Sequence, residues 1–218
     1  MLEKYKTVYE GGEGEIVEKK SRFIATVRPV KTEEEALAFI EEMKKKYWDA
    51  RHNCYVYSVG KNREYTRCSD DGEPSGTAGR PMLDVILGED IYNVAVVVTR
   101  YFGGVLLGTG GLVRAYSGAV QAGLGESTVI EKHHGISMVL TADYTAIGKL
   151  QYIAAENQIP VLDTEYTDKV IMHLLVPNDQ VGRIQKVITE ATSGRIKMEK
   201  EKELYFADVE GEIKVFDH

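Results

Sequence analysis

Residues 93–99 read NVAVVVT, and residues 100–115 continue as RYFGGVLLGTGGLVRA. The continuous apolar run predicts a buried strand over residues 93–99. The small residues Ala115, Ala119 and Ala122 predict a helix over residues 111–124 that lies close to a sheet. A glycine-rich loop therefore connects a buried strand to a helix N-terminus, which is an α/β arrangement.

The residues around this stretch add further helices and strands. Ala36, Ile40, Met43 and Tyr47 form one apolar stripe and predict a helix over residues 33–47, with Thr32 as its N-cap. The same reasoning predicts strands within residues 7–30, a hairpin formed by residues 52–59 and 63–70, and a short helix over residues 81–87.

The chain changes in texture after residue 132, because glycine becomes sparse and regular periodicities appear. Apolar alternation and helical spacing predict the order β-α-β-β-α-β, a ferredoxin-like arrangement. Its elements cover residues 134–142, 143–157, 161–167, 169–176, 179–192 and 195–207. We therefore predict an α+β protein with two domains, residues 1–132 and 133–218.

The composition excludes several classes of protein. The chain has 218 residues, of which 43% are apolar and 28% charged, so disorder is not expected. Two cysteines in such a length do not make a disulfide scaffold. Glycines break the longest uncharged runs, so no membrane span is expected. The N-terminus shows no secretory signal, and we expect a cytoplasmic protein.

The net charge of −7 argues against indiscriminate binding of nucleic acid. The acidity is uneven, however, with a net charge of −2 over residues 1–132 and −5 over residues 133–218. The first part therefore leaves room for a local anion site.

The glycine-rich loop is the strongest candidate for such a site. Free N–H groups and the dipole at a helix N-terminus favour an anion, and glycine lets a phosphate approach the backbone. Arg100 precedes the loop, and Arg114 follows it in the predicted helix. The spacing fits neither a Walker A loop nor the dinucleotide fingerprint. The alternative is that the glycines serve only tight packing against the sheet.

A second dense segment, residues 68–81, places three carboxylates, Asp70, Asp71 and Glu73, within four residues. Such a cluster suits a divalent cation or acid–base chemistry. Its dipeptides Asp71-Gly72 and Glu73-Pro74 are also good turn formers. An exposed turn that caps a helix is the favoured interpretation.

The predicted hairpin gives a register hypothesis. A three-residue loop at residues 60–62 places Cys54 opposite Cys68 and His52 opposite Asp70. These four side chains are candidate zinc ligands, and a cysteine beside His52 is a candidate nucleophile. No CxxC motif accompanies them. We therefore expect packed cysteines, a His–Asp hydrogen bond, no metal and no cofactor.

Five strings carry a resemblance to a known family: KSRF at residues 20–23, RHNCY at 51–55, SDDGEP at 69–74, TRYFGG at 99–104 and GTGGLVRAY at 108–116. In these strings the chain resembles the IMPACT family, and the likeness to bacterial members spans its whole length. The resemblance implies an N-terminal domain like the second domain of a small-subunit ribosomal protein, a fold shared with GHMP-type kinases. It implies a C-terminal domain like the ferredoxin-like last domain of elongation factor G. Eukaryotic relatives act in translational control during amino-acid starvation through partner proteins.

The leading hypothesis is a non-enzymatic, translation-associated protein that binds RNA or a ribosomal surface. Its predicted contacts are Arg51, Arg67, Arg80, Arg100, Tyr101, Phe102, Gly103, Gly104, Gly108, Thr109, Gly110, Gly111 and Arg114. One alternative is an enzyme acting on a phosphorylated small molecule, with Asp70, Asp71 or Glu73 as the metal or base site. Another is a protein-interaction module with a translation-control partner. The catalytic residues and the oligomeric state are not fixed by the sequence.

Overall fold

A computed structural model describes residues 2–216, so Met1 and the last two residues of the predicted C-terminal domain, Asp217 and His218, lie outside the described residues. The chain forms two compact units. One unit is Tyr5–Ile130, and the other combines residues 2–4 with residues 131–216.

The unit Tyr5–Ile130 is built on an antiparallel sheet of five strands. Its elements are β1 (Lys4–Glu10), β2 (Glu13–Glu18), β3 (Ser21–Pro29), α1 (Glu33–Lys46), β4 (His52–Val59), β5 (Tyr65–Ser69), α2 (Gly79–Gly88), β6 (Ile91–Tyr92), β7 (Val94–Tyr101) and α3 (Thr109–Gly125). The sheet has the order β2-β3-β7-β4-β5, and β1 pairs in parallel with β6. The predicted buried strand, β7, is thus the central strand of the sheet.

Helices cover both faces of this sheet, which explains why β7 is apolar on every residue from Val94 to Val98. On one face, Ala95 and Val97 pack with Phe39 and Ile40 of α1. On the other, Val96 and Val98 belong to a core with α2 and α3. The buried Ala115 and Ala119 lie on α3, as the small-residue pattern predicts. Two separate apolar layers therefore hold β7 in place.

The predicted start of the first helix is confirmed. Thr32 is the N-cap of α1, and its hydroxyl accepts a hydrogen bond from the Glu35 amide at 3.2 Å. The short helix α2 begins at Gly79, two residues before the predicted start, and α3 begins at Thr109.

The predicted register of the β4–β5 hairpin is wrong. The ladder pairs Val56 with Cys68 and Val59 with Tyr65, so the loop covers residues 60–64 instead of 60–62. The reason is Arg63, whose guanidinium donates to the Ile91 carbonyl at 2.6 Å and to Asp90 at 2.7 Å. These contacts draw residue 63 into the loop and shift the register by two residues. Cys54 and Cys68 are therefore not opposite each other.

The second unit contains β8 (Thr128–Ala142), α4 (Ile147–Glu156), β9 (Val161–Tyr166), β10 (Val170–Pro177), α5 (Val181–Thr192), β11 (Lys197–Val209) and β12 (Glu212–Phe216). Its antiparallel strands follow the order β9-β10-β8-β11-β12. The predicted succession of strands and helices is present, with β12 as an additional strand. Met138, Leu140, Met172, Leu150 and Ile184 place α4 and α5 against the same core. Among the helices of residues 2–216, none is long and apolar enough to span a membrane.

Candidate functional site

The glycine-rich loop, defined here as residues 102–108, leaves the end of the central strand β7 and leads into α3. At this end of the sheet, Arg22 of β3 pairs with Tyr101, and His52 of β4 pairs with Arg100. The loop is thus flanked by the first residues of two neighbouring strands. Gly104, Val105, Leu106 and Gly108 are exposed along it, and Leu106 is 81% exposed.

Three glycines are required by the loop for two different reasons. Gly103 lies against the β2–β3 turn, where a Cβ would come within 2.0 Å of the Lys20 carbonyl carbon. Gly104 and Gly108 adopt φ angles of 84° and 73°, which favour glycine over other residues. A Cβ at either of the latter would meet nothing within 4 Å, so these backbone segments face open space.

The first turn of α3 is open. Gly108 is the N-cap residue, no side chain caps the helix, and its first turn contains no acidic residue. Thr109 and Gly110 are exposed. Arg114 folds back over this turn, with Nη1 3.6 Å from the position of a Cβ on Gly110. A cation therefore stands beside the positive end of the helix dipole, where an anion is favoured.

A buried ion pair supports the base of the loop. Arg100 Nη1 donates to Glu73 Oε1 at 2.6 Å, and both side chains are buried. The same carboxylate oxygen accepts a hydrogen bond from the Tyr116 hydroxyl of α3 at 2.8 Å. Burial raises the pKa of Tyr116, so its hydroxyl stays a donor. Glu73 thus joins the acidic segment, β7 and α3 in one hydrogen-bonded cluster.

Ser21 extends this cluster to the loop. Its hydroxyl accepts a hydrogen bond from the Gly103 amide at 3.1 Å, and Arg100 Nη2 lies 3.5 Å from the same oxygen. The Arg100 guanidinium also lies 5.3 Å and 5.5 Å from the ring centres of Phe23 and Phe102. Arg100 Nε is buried without a hydrogen-bond partner. These contacts hold the guanidinium of Arg100 in the protein interior.

The other two carboxylates of the acidic segment also point inward. Asp70 accepts hydrogen bonds from the amides of Gly76, Ala78 and Gly79 at 2.8, 3.0 and 2.8 Å. Burial opposes ionisation of Asp70, but the three amide bonds outweigh it and lower the pKa of this carboxyl. Asp71 accepts from the Asn53 amide at 2.7 Å. Asp70 caps the start of α2, as the favoured interpretation predicts, but the segment is not the exposed turn of that interpretation, because Glu73 is buried and Asp70 and Asp71 are half-buried. No metal-binding cluster occurs within residues 2–216.

His52 and Cys54 both form hydrogen bonds with the acidic segment. His52 Nδ1 lies 2.8 Å from the Asp71 carbonyl oxygen, and its Nε2 lies 4.0 Å from Glu73. Cys54 Sγ donates to the Asp70 carbonyl at 3.0 Å. Burial raises the pKa of the Cys54 thiol, which disfavours a nucleophilic thiolate. Both contacts differ from the predicted His52–Asp70 and Cys54–Cys68 pairs.

The five arginines of the predicted site lie in different surroundings in the structure. Arg51 is exposed next to the start of β4, and Arg114 is exposed at the start of α3. Arg67 lies opposite Tyr57, whose ring packs on the α1 face of the sheet, so Arg67 is on the face away from α3. Arg80 forms an ion pair with Asp84 on α2 at 2.8 Å. Arg114 lies beside the N-terminus of α3, whereas Arg100 is buried beneath the loop.

The aromatic candidates differ in exposure. Phe102 is exposed, whereas Tyr101 is half-buried and donates a hydrogen bond from its hydroxyl to Asp49 at 2.8 Å. Ser21 and Tyr116 are supporting residues that the sequence reasoning did not assign. Both occur in strings that carry the family resemblance, at residues 20–23 and 108–116, and this is the signal that points to them.

The chain is an α+β protein of two units, and each unit contains a segment that matches a known domain family. The model of the Impact N-terminal domain matches residues 19–124, and that of DUF1949, a domain of unknown function, matches residues 140–195. IMPACT family member YvyE of Bacillus subtilis is 42% identical over 208 residues, which is 95% of each chain. This chain belongs to the IMPACT family.

Two solved structures are similar to parts or most of this chain. The crystal structure of a hypothetical protein, 29% identical, covers 93% of this chain and 99% of its own, with a TM-score of 0.59. Yih1, described as a two-domain translational regulator, is 28% identical over 54% of this chain and 47% of its own, with a TM-score of 0.38.

Proposed function

We propose that this chain is a cytoplasmic, translation-associated regulatory protein that binds RNA or a ribosomal surface through the glycine-rich loop. The observation that carries the proposal is the open N-terminus of α3. It has no capping side chain and no acidic residue in its first turn, and Arg114 folds over it. A cation at this end of a helix opposes the dipole, and a bound phosphate compensates both charges.

The surroundings of this turn suit a polyanion. Gly104 and Gly108 leave the backbone open to close approach, because a Cβ at either would meet no atom within 4 Å. Arg51 is exposed beside the strand that borders β7, and the exposed Phe102 offers a ring on which a base stacks. Arg67 lies on the other face of the sheet and Arg80 is paired with Asp84, so neither is part of this proposed site.

The second domain fits a role in translation. We propose that residues 133–218 form a ferredoxin-like domain similar to the last domain of elongation factor G. The strand order β9-β10-β8-β11 and the packing of two helices on one core support this proposal. Family membership adds the regulatory role, since the relative Yih1 is described as a translational regulator. A fold likeness to a translation factor is an analogy, so binding is the property to measure.

The test is binding of a labelled 20-nucleotide oligouridylate and of purified 70S ribosomes at 50 and 200 mM salt. The proposal expects binding that weakens with salt, because counterions are displaced from phosphates. Arg114→Gln weakens binding at both salts, whereas Arg67→Gln, on the opposite face of the sheet, leaves it unchanged. Binding that is absent, or indifferent to salt, contradicts the proposal.

A protein-interaction module is the second candidate, and one observation favours it. Leu106 is 81% exposed at the tip of the loop, next to the exposed Val105. Exposed apolar side chains at a loop tip suit a protein partner, such as a translation-control protein. Leu106→Ser separates the two functions, because it removes protein capture while RNA binding persists. The enzyme alternative gains no such support, since Asp70, Asp71 and Glu73 all accept hydrogen bonds from the protein.

A further inference from the structure

In the β2–β3 hairpin turn, two residues other than glycine adopt an unfavourable backbone conformation. Glu18 pairs with Ser21, so the turn consists of Lys19 and Lys20 alone. Both have positive φ angles, 46° and 66°. This is the pattern of a type I′ turn, which strongly prefers Asn-Gly, because a side chain with a Cβ is strained at positive φ. Two lysines are therefore an unfavourable choice for this turn.

The two-residue hairpin turn between β11 and β12 has the same backbone requirement but a different sequence. Between β11 and β12, Val209 pairs with Glu212, and the turn is Glu210-Gly211, with φ angles of 53° and 87°. There, the second position is a glycine, as the turn geometry favours. Local backbone strain that persists where a better residue is available points to a function of the side chain. At residues 19 and 20, the side chains supply two ammonium groups.

The position of the turn connects it to the proposed site. The Lys20–Ser21 peptide lies against Gly103, where a Cβ would come within 2.0 Å of the Lys20 carbonyl carbon. Ser21 accepts the hydrogen bond from the Gly103 amide. Both lysines are exposed, and neither makes an ion pair with any residue in the described part of the chain. The neighbouring Arg22 is held by Glu15 at 2.8 Å.

We infer that the Lys19–Lys20 turn is a second phosphate-binding element that holds the RNA backbone beside the glycine-rich loop. The inference rests on the proposed function and adds a site to it. The ammonium groups neutralise two phosphates of a single-stranded RNA, and the hydrogen bond from Gly103 to Ser21 fixes the turn against the loop. The strain of the turn is retained because Asn-Gly in its place removes both cations.

The test is the double substitution Lys19→Asn/Lys20→Gly, which relieves the strain and removes the charges together. The melting temperature is expected to rise by about 2–5 °C, since the new residues suit the turn. Binding of the labelled oligouridylate is expected to weaken roughly 25-fold at about 0.1 M salt, and the salt slope falls by about 1.4, as for two lost phosphate contacts. Stability and binding thus move in opposite directions.

Three further variants make the result unambiguous. Lys19→Gln/Lys20→Gln keeps the strain, removes the charges, and is expected to weaken binding equally without raising the melting temperature. Lys44→Gln/Lys45→Gln on α1 changes the net charge by the same amount and leaves binding within about twofold of the native value. Glu210→Asn relieves strain at the other hairpin and leaves binding intact.

The outcomes separate this inference from the function on which it rests. If the native protein binds the RNA in a salt-dependent way and Lys19→Asn/Lys20→Gly binds equally well, the inference is overturned and the proposed function stands. If the native protein binds no RNA and no ribosome at either salt, both are overturned.

Discussion

The acidic segment, residues 68–81, and the glycine-rich loop are equally conspicuous in the sequence, yet the structure uses them in opposite ways. The carboxylates of Asp70, Asp71 and Glu73 are all turned inward, to backbone amides or to the Arg100–Tyr116 cluster. The loop instead leaves the N-terminus of α3 without a capping side chain. A dense motif whose polar groups are satisfied by the protein builds structure, whereas one whose polar groups stay open is available to a ligand.

The largest effect is expected where the two regions meet. Glu73→Ala leaves Arg100 and the Tyr116 hydroxyl buried without their acceptor, and the free energy of unfolding is expected to fall by about 3–5 kcal/mol. Urea denaturation measures this change. Glu89→Gln, at an exposed position at the end of α2, is the control and is expected to cost less than about 0.5 kcal/mol. Equal effects of the two substitutions would remove Glu73 from its supporting role.

The next effect tests the close approach of the loop to the β2–β3 turn. Gly103→Ala places a methyl group against the Lys20 backbone and is expected to destabilise the protein by about 1–3 kcal/mol. Gly125→Ala at the end of α3 meets nothing within 4 Å and is expected to be neutral or to stabilise by up to about 1 kcal/mol. Thermal unfolding of both variants checks the opposite signs. A neutral Gly103→Ala contradicts the contact.

A smaller effect, with a pH dependence, is expected at the cap of α2. Asp70→Asn loses the charged acceptor of three backbone amides and is expected to cost about 1–2 kcal/mol at neutral pH. Because the folded pKa of Asp70 is lowered, its contribution is complete above the unfolded pKa of about 3.9 and is lost as the pH falls through the folded value. Denaturation curves of the two proteins therefore differ at pH 7 and converge only when the pH falls below the lowered folded pKa of Asp70. A gap that persists in acid contradicts this linkage.

The smallest effect has the opposite sign. Arg114→Gln removes a cation from the positive end of α3 and is expected to stabilise the free protein by about 0.3–1 kcal/mol at low salt. The gain should disappear near 1 M salt, where the charge is screened. A loss of stability at low salt would show that Arg114 serves the fold and not a ligand.

Much of this architecture follows from local patterns. The apolar run at residues 94–98 predicts a strand buried on both faces, and Thr32 marks the start of α1, because both signals lie within a few neighbouring residues. The β4–β5 register does not follow, because it depends on the contact of Arg63 with Asp90, which is 27 residues away. The buried cluster is likewise hidden, since Arg100 and Tyr116 reach Glu73 across 27 and 43 residues. Long-range partners of this kind leave no periodic trace in a sequence.

The contrast between the closed acidic segment and the open loop is tested most directly by amide chemical shifts of the ¹⁵N-labelled protein during titration with the oligouridylate at low salt. The account predicts shifts at Gly104, Gly108, Gly110 and Gly111 that saturate with RNA and vanish at high salt, while the amides of Gly76 and Gly79 do not move. Shifts confined to residues 70–79, or no shifts in the loop when RNA is bound, would contradict it.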